Sequence, residues 1–204
     1  MSQFEFFQQA VAVRKAARRT SRRAQRGITL VELMVVVVIV GILASTGIAA
    51  MRKHTNASRS SEALAMVQSI RAAEEQYRAL RMLYLNVSTT GNAGWFPRDP
   101  RDDGLVKVPF LTPASAATHV DNAAWLTLSP TVSGPVQFGY KVNAGLPGQV
   151  MTAPDEVVSG TGWGTPTEPW YVVQAIADAD SDGVTAYFLA SSLTDAVYVT
   201  REGE

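Results

Sequence analysis

The sequence predicts an α+β protein in which a long N-terminal helix packs on a small antiparallel β-sheet. Three patterns support this class. An apolar run begins near residue 28, an amphipathic run continues to about residue 85, and short β-like runs follow between Gly, Pro and Asp residues. We therefore divide the 204 residues into a basic leader (1–27), two halves of the helix (28–51 and 52–85) and a β-rich head (86–204).

The leader, residues 1–27, is strongly basic although the whole chain is neutral. It has seven Lys and Arg side chains against one acid, Glu5, and this charge of +6 leaves −6 on residues 28–204. A basic segment directly before an apolar run is typical of membrane targeting with a cytoplasmic N-terminus. The negative remainder argues against nucleic acid as a partner. The sequence has no cysteine, which excludes a disulfide framework and thiolate chemistry.

Residues 28–51 are long and apolar enough for a transmembrane helix. They contain one formal charge, Glu32, and such a helix measures roughly 36 Å against a hydrocarbon core of ~30 Å. An uncleaved signal anchor explains the apolar run but not the carboxylate near its start. Because an acid at the centre of a membrane helix costs on the order of 2.5–3.5 kcal/mol, Glu32 predicts a functional site with a charged partner.

Residues 52–85 predict the amphipathic half of the helix. Apolar side chains recur at three- and four-residue steps, and charged side chains occupy the other face. On the charged face we expect Glu74 to pair with Arg78, because their i,i+4 spacing favours an ion pair. The apolar stripe comprises Ala63, Met66 or Val67, Ile70, Ala73, Tyr77, Leu80 and Tyr84.

The head, residues 86–204, predicts a long loop followed by antiparallel hairpins. The loop, residues 86–104, is rich in turn formers and is anchored by Trp95 and Phe96. A Pro- and Gly-rich segment, 144–169, interrupts the β-like runs. The runs themselves lie at 123–130, 136–143, 170–178, 184–192 and 195–203.

The segment IADADSDG suggests a metal site in the head. Asp178, Asp180 and Asp182 alternate before Gly183, and three carboxylates on a turning backbone suit Ca²⁺. The twelfth position of the pattern is Leu189 rather than the Glu of an EF-hand, and a solvated Asp/Gly hairpin turn explains the pattern as well. Mutual repulsion of the three acids favours the cation, so Ca²⁺ is the one cofactor that the residues suggest.

Catalytic motifs are scarce, and the sequence predicts a protein that is not an enzyme. His54 and His119 are isolated in the sequence, no G-x-S-x-G motif is present, and residues 160–164 lack the Lys of a phosphate loop. Two further classes stay open. One is a signal-anchored periplasmic binding protein that retains residues 1–27, and the other is an exported hydrolase with an unrecognised site.

The run RGITLVELM (residues 26–34) resembles the N-terminal signal of type IV pilins and type II secretion pseudopilins. In that family a prepilin peptidase cuts after the Gly and methylates the new N-terminus. The resemblance implies cleavage after Gly27, N-methylation of Ile28 and a role in assembly for Glu32, the fifth residue of the mature chain. It also implies the ladle-like pilin architecture, in which a spine helix packs on a β-sheet head.

The resemblance further implies a structural subunit of a type IV pilus or related filament with a role in adhesion, motility or secretion. A type II secretion pseudopilin is the alternative. The implied partners are other copies or related pilins, a prepilin peptidase, an assembly platform and the bacterial inner membrane. The chain first spans that membrane once with its head in the periplasm, and then joins an extracellular pilus or a periplasmic pseudopilus.

Two departures from the resemblance concern residues 1–51. The leader is long, and the chain lacks the Pro that many pilins have about 22 residues into the mature helix. Gly41 and Gly47 are the residues nearest to that position that weaken a helix, each by about 1 kcal/mol relative to Ala in water.

Overall fold

The computed structural model describes residues 27–88, 94–101, 106–111, 119–151, 164–178, 181 and 183–201. The chain divides into two compact units, Met1–Ile48 and Ala49–Glu204. Its described elements are α1 (Leu30–Arg81), α2 (Asn122–Leu128), β1 (Gly139–Gly145), β2 (Trp170–Ala177), β3 (Ala186–Ser191) and β4 (Thr194–Thr200). The predicted α+β class, a long helix that is apolar in its first part followed by an antiparallel sheet, is confirmed.

Helix α1 is continuous through Gly41 and Gly47 and ends at Arg81, earlier than predicted. It stops because Met82 adopts a left-handed conformation, with φ of 63°. The Met82 N–H donates to the Arg78 carbonyl oxygen at 2.7 Å, which satisfies one of the carbonyls that a helix end leaves open.

The four strands form one antiparallel sheet in the order β1-β2-β3-β4. The register places Val142 opposite Val173, Val173 opposite Ala190, and Phe188 opposite Val199. The ladder between β3 and β4 shifts between Leu189 and Ser191. These strands confirm the β-like runs predicted at 136–143, 170–178, 184–192 and 195–203.

Side chains alternate across the sheet, and both faces of its central strands are covered. All residues of β2 and β3 are buried, because the two-residue period of a strand sends alternate side chains to opposite faces. One face shares its core with the apolar stripe of α1. That core includes Ala63, Met66, Val67, Ile70 and Ala73 from α1, and Val142, Tyr171, Val173, Phe188 and Ala190 from the sheet.

The second face of the sheet has a smaller core. It joins side chains of β2 and β3 to residues from the loops that cross this face. Its members are Trp95, Met151, Trp170, Val172, Ile176, Tyr187 and Leu189.

The run 123–130 is helical, so the strand predicted there is wrong. Its buried residues are Trp125 and Leu128 in α2, and their three-residue spacing places them on one face of a helix but on opposite faces of a strand. Trp125 packs on Phe96 and Phe110 with ring centroids 5.3 and 5.2 Å away. The left-handed Ser129 then ends α2, and its N–H donates to the Trp125 carbonyl oxygen at 2.8 Å.

The segment 94–101 covers the edge of β1, and both predicted aromatic anchors, Trp95 and Phe96, are buried. Phe96 is fully buried, and its backbone exchanges two hydrogen bonds with Tyr140, at 2.9 and 2.8 Å. The absence of a side chain at Gly139 permits this approach, since a Cβ there would lie 2.8 Å from the Arg98 carbonyl oxygen.

Candidate processing and assembly site

The three residues before α1 are exposed and outside the helix. Gly27, Ile28 and Thr29 have no helical hydrogen-bond pattern, and α1 begins at Leu30. The space where a Cβ on Gly27 would lie is open for 4 Å. The Gly27–Ile28 peptide bond, predicted from the sequence as the cleavage position, is therefore in an exposed, non-helical segment.

Thr29 is the N-cap of α1. Its carbonyl oxygen accepts a hydrogen bond from the Leu33 N–H at 3.1 Å, which is the first bond of the helix. Its side-chain Oγ1 accepts a second bond, from the Glu32 N–H at 3.2 Å. These two bonds define an N-cap, because they satisfy backbone donors that the first turn leaves without partners.

The sequence analysis missed Thr29, although a signal for it was present. Thr29 and Glu32 form the T-x-x-E pattern that precedes an apolar run at many helix starts. The pattern also places Glu32 at the third helical position, where the positive end of the helix dipole stabilises a carboxylate.

Glu32 is exposed and surrounded by apolar side chains. The neighbouring Val31, Leu33 and Met34 are each more than half exposed. Among the described residues, its carboxylate has no hydrogen-bond or ion-pair partner. An unpaired charge is costly in lipid, so a carboxylate in this setting favours a charged partner wherever the helix lies in a membrane.

The first part of α1, which contains Glu32, is long and apolar enough to cross a membrane. The segment Leu30–Ile48 has 19 residues, none of them buried within the structure. Its few polar side chains bond within the helix, as Ser45 donates to the Ile42 carbonyl oxygen at 2.8 Å and Thr46 donates to that of Leu43 at 2.9 Å. Signal sequences share this length and composition, so the apolar helix alone does not separate the two.

The predicted calcium ligands fall partly outside the described residues. Asp180 and Asp182 are not among them, while Asp178 is buried at the end of β2. Its Oδ2 accepts a hydrogen bond from the Gly183 N–H at 2.9 Å, and Gly183 has the positive φ of 87° that such a tight turn requires. Among the described residues, no group of three His, Cys, Asp or Glu side chains can hold a metal ion.

The two histidines have no catalytic arrangement in the described parts of the chain. His54 is exposed on α1. His119 has a structural role, because its Nδ1 accepts from the Asp121 N–H at 3.1 Å and its Nε2 lies 2.9 Å from the Trp95 carbonyl oxygen. The first bond fixes the neutral tautomer with the proton on Nε2.

The expected ion pair between Glu74 and Arg78 is absent, and the prediction was wrong because Glu74 points into the core. Glu74 is fully buried, and its Oε2 accepts from the Leu85 N–H at 2.9 Å. Arg78 instead donates to the Tyr84 hydroxyl at 2.8 Å and pairs with Glu168 at 3.4 Å. The sequence contained the signal, since Glu74 lies one four-residue step after Ile70 on the buried stripe.

Burial raises the pKa of Glu74 from 4.5 to about 8. The hydrogen bond from Leu85 opposes this shift, and the charge of Glu75 adds to it. The other oxygen of the carboxyl group, Oε1, has no hydrogen-bond partner. A protonated Glu74 therefore fits the site better than a charged one, since an unpaired buried charge is strongly unfavourable.

These features define a pilin-like α+β protein with a prepilin-type N-terminus. Residues 22–48 match the family model described as the prokaryotic N-terminal methylation motif. The chain is also 35% identical over 81 residues to the type IV major pilin protein PilE of Neisseria gonorrhoeae. That match covers 40% of this chain and 41% of PilE. No solved structure matches the chain.

We predict that the head becomes less stable as the pH rises from about 4.5 to about 8. In this range the unfolded chain releases the Glu74 proton while the folded chain retains it. Stability from this group is therefore full below pH 4.5 and is lost by pH 8, with a slope of up to about 1.4 kcal/mol per pH unit. Urea unfolding of residues 49–204 at pH 5, 6.5 and 8 measures the slope.

The control for this prediction is a pair of neighbouring variants. Glu74→Gln removes the titrating group while keeping its shape and should lose most of the slope. Glu75→Gln keeps the buried Glu74 and removes only an exposed neighbouring charge that adds to its pKa shift, so it should retain most of the slope. The same slope in Glu74→Gln as in the unaltered chain would contradict the assignment.

Proposed function

We propose that this chain is a structural subunit of a type IV pilus or a related filament. The observation that carries the proposal is the arrangement of Gly27, Thr29 and Glu32 before an exposed apolar helix. The methylation motif at residues 22–48 and the similarity to a type IV major pilin support it. The same observations fit a type II secretion pseudopilin, which assembles in the periplasm.

In this proposal a prepilin peptidase hydrolyses the Gly27–Ile28 bond and methylates the Ile28 amine. The leader, residues 1–27, is removed on the cytoplasmic side, where its positive charge holds it. The mature chain spans the inner membrane through residues 28–51 until it enters the filament at an assembly platform. The chain is thus the substrate of an enzyme and catalyses no reaction itself.

Assembly follows from the two charges that the mature helix places in lipid. The new amine of Ile28 is positive, and the Glu32 carboxylate has no partner among the described residues of its own chain. An incoming subunit whose amine reaches Glu32 of a neighbour neutralises both charges. A buried charge left unpaired is costly in lipid. Only one axial position of a subunit relative to its neighbour brings the amine and the carboxylate together, so every other position leaves both charges unpaired.

We predict that the mature protein begins with N-methylated Ile28. Mass spectrometry of the chain purified from its own cells should find residues 1–27 absent and one methyl group on the first residue. Gly27→Val should retain the leader, because a branched side chain then fills the open space at the residue before the cut. Gly41→Ala, a change inside the helix, should be processed normally. An intact Met1 in the unaltered chain would favour the signal-anchored binding protein instead.

We predict that Glu32→Ala and Glu32→Leu are inserted and cleaved normally but assemble poorly. Filament yield should fall at least about tenfold, because the amine of each incoming subunit is left unpaired at a cost of roughly 3–5 kcal/mol. Glu32→Asp keeps the charge and should recover part of the yield. Shearing cells and weighing the released filaments measures the effect, and normal yield from Glu32→Leu would refute the pairing.

We also propose that Asp178, Asp180 and Asp182 bind Ca²⁺ in the mature head. The turn from Asp178 to Gly183 and the alternating acids support this site, in which the cation offsets their mutual repulsion.

We predict that Ca²⁺ titrated into residues 55–204 releases heat and raises the melting temperature. The double variant Asp180→Asn, Asp182→Asn should lose both effects. Asp195→Asn, at an exposed position on β4, should keep them, and the absence of both in the unaltered head would exclude the site.

A further inference from the structure

The two outer edges of the sheet, β1 and β4, differ in how their backbone groups are bonded. On β1 the outward groups are bonded to earlier parts of the chain. Tyr140 exchanges two bonds with Phe96, at 2.9 and 2.8 Å. The Val142 N–H donates to the Ser88 hydroxyl at 3.0 Å, and its carbonyl oxygen accepts from the Ser88 N–H at 2.9 Å. The β1 edge is therefore closed to a further strand.

The same bonds determine which backbone groups of β4 point outward. In an antiparallel sheet, successive residues direct their N–H and C=O groups alternately to one side and the other. Because Val142 bonds outward, Val173 opposite it bonds towards β3, and the registers carry this alternation across the sheet. It directs Tyr198 towards β3, and it directs Val197 and Val199 outward. The shift in the β3–β4 ladder lies before Tyr198, so Val199 is on the regular part of the strand.

The outward groups of Val197 and Val199 are available to another strand. Among the described residues, they make no hydrogen bond beyond the sheet itself. Arg71 covers only the start of β4, where it donates to the carbonyl oxygens of Thr194 and Asp195 at 3.1 and 3.0 Å. Open edges of this kind pair with other extended chains unless Pro or Lys prevents it, and β4 contains neither residue.

The charges at the two ends of β4 favour a second copy of this chain as the added strand. Asp195, near the start, has a fully exposed side chain, and its contact with Arg71 at 3.6 Å leaves it open to solvent. Arg201, which follows the last residue of β4, is exposed as well. When two β4 strands lie antiparallel, the acidic start of each meets the basic end of the other. A parallel arrangement would place like charges together.

We propose that β4 is a docking edge at which two copies of this chain pair antiparallel, with Tyr198 opposite the partner's Tyr198. Val197 then lies opposite the partner's Val199, and such a pair exchanges both N–H···O bonds because both residues point outward. A slip of one residue would bring inward-directed groups to the contact. A slip of two residues would separate Asp195 from the partner's Arg201, so the charges select one register.

The symmetry of this pair fixes the relative direction of the two copies. The twofold axis of an antiparallel pair within one sheet is perpendicular to the sheet, and the buried stripe of α1 packs along a face of that sheet. The rotation reverses directions within the sheet plane, so the two helices run in opposite directions. Subunits of one filament run in the same direction. The contact therefore joins copies from different filaments, a step that rests on the proposed function.

The test is disulfide cross-linking of full-length chains solubilised in detergent, where the natural lack of cysteine makes single-cysteine variants specific. Tyr198→Cys places two sulfur atoms across the symmetry axis, where facing Cα atoms are about 4.5 Å apart, within disulfide range. Leu126→Cys, at an exposed position on α2, reports random collision. With a mild oxidant, we expect Tyr198→Cys to form dimers at least about tenfold faster than Leu126→Cys, because pairing raises the effective concentration of the thiols.

Charge variants of the Tyr198→Cys chain test the register. Asp195→Arg places like charges at both ends of the pair and should slow cross-linking about threefold or more. Adding Arg201→Asp restores opposite charges between copies and should recover the rate. This second change leaves Arg71 beside an arginine in the same chain, so recovery reports the contact between copies and not the stability of β4.

A backbone variant tests the outward donors. Val199→Pro in the Tyr198→Cys chain removes an N–H of the contact but none of the β3–β4 ladder, a place where an edge strand accepts proline. It should slow cross-linking to the rate of Leu126→Cys while the melting temperature shows that the head is folded.

Each outcome supports or overturns the docking edge. Fast cross-linking of Tyr198→Cys that is slowed by Asp195→Arg and recovered by the double charge change supports it. Equal rates for Tyr198→Cys and Leu126→Cys, no recovery in the double charge variant, or unchanged fast cross-linking in a folded Val199→Pro chain would overturn it. None of these rates depends on leader cleavage or filament formation, so the contact can fail while the proposed function stands, and the reverse.

Discussion

The packing of the apolar stripe of α1 on one face of the sheet is the interaction on which the head depends. Ala63, Val67 and Ile70 are fully buried in a core shared with all four strands. Burial of such side chains contributes roughly 1.5–3 kcal/mol each for the larger ones. The sheet gains one covered face from this contact, and the loops that cross the other face complete the burial of β2 and β3.

Most of the fold could be predicted because periodicity reports burial directly. The three- and four-residue steps of α1 agree with the buried Ala63, Val67 and Ile70, although Leu80, which was placed on the same stripe, is 83% exposed. The apolar runs of β2 and β3 agree with strands that are buried on both faces. The prediction failed for residues 123–130, where a short apolar run fits either period and only the aromatic partners of Trp125 favour a helix. Tertiary contacts decide such runs, and they are not visible in local sequence.

The candidate site was predictable to a different degree at each residue. Gly27 and Glu32 are conspicuous, because a glycine after a basic run and an acid in an apolar helix both contradict the local composition. Thr29 is inconspicuous, since a threonine before a helix is common and its role depends on which donor its oxygen accepts. Glu74 was misassigned to the solvent face for a related reason: a charged residue type argues for exposure, and only packing shows that this one is buried.

The position of β4 has a consequence for how the surface of the head can change over time. It is the last strand in the sheet order, and its Asp195, Ala196 and Tyr198 are exposed while β2 and β3 are wholly buried. Substitutions at these three positions replace side chains that lie outside both cores. Side-chain changes on this strip of the head can therefore accumulate at little cost to its stability, whereas changes in β2 and β3 disturb a core.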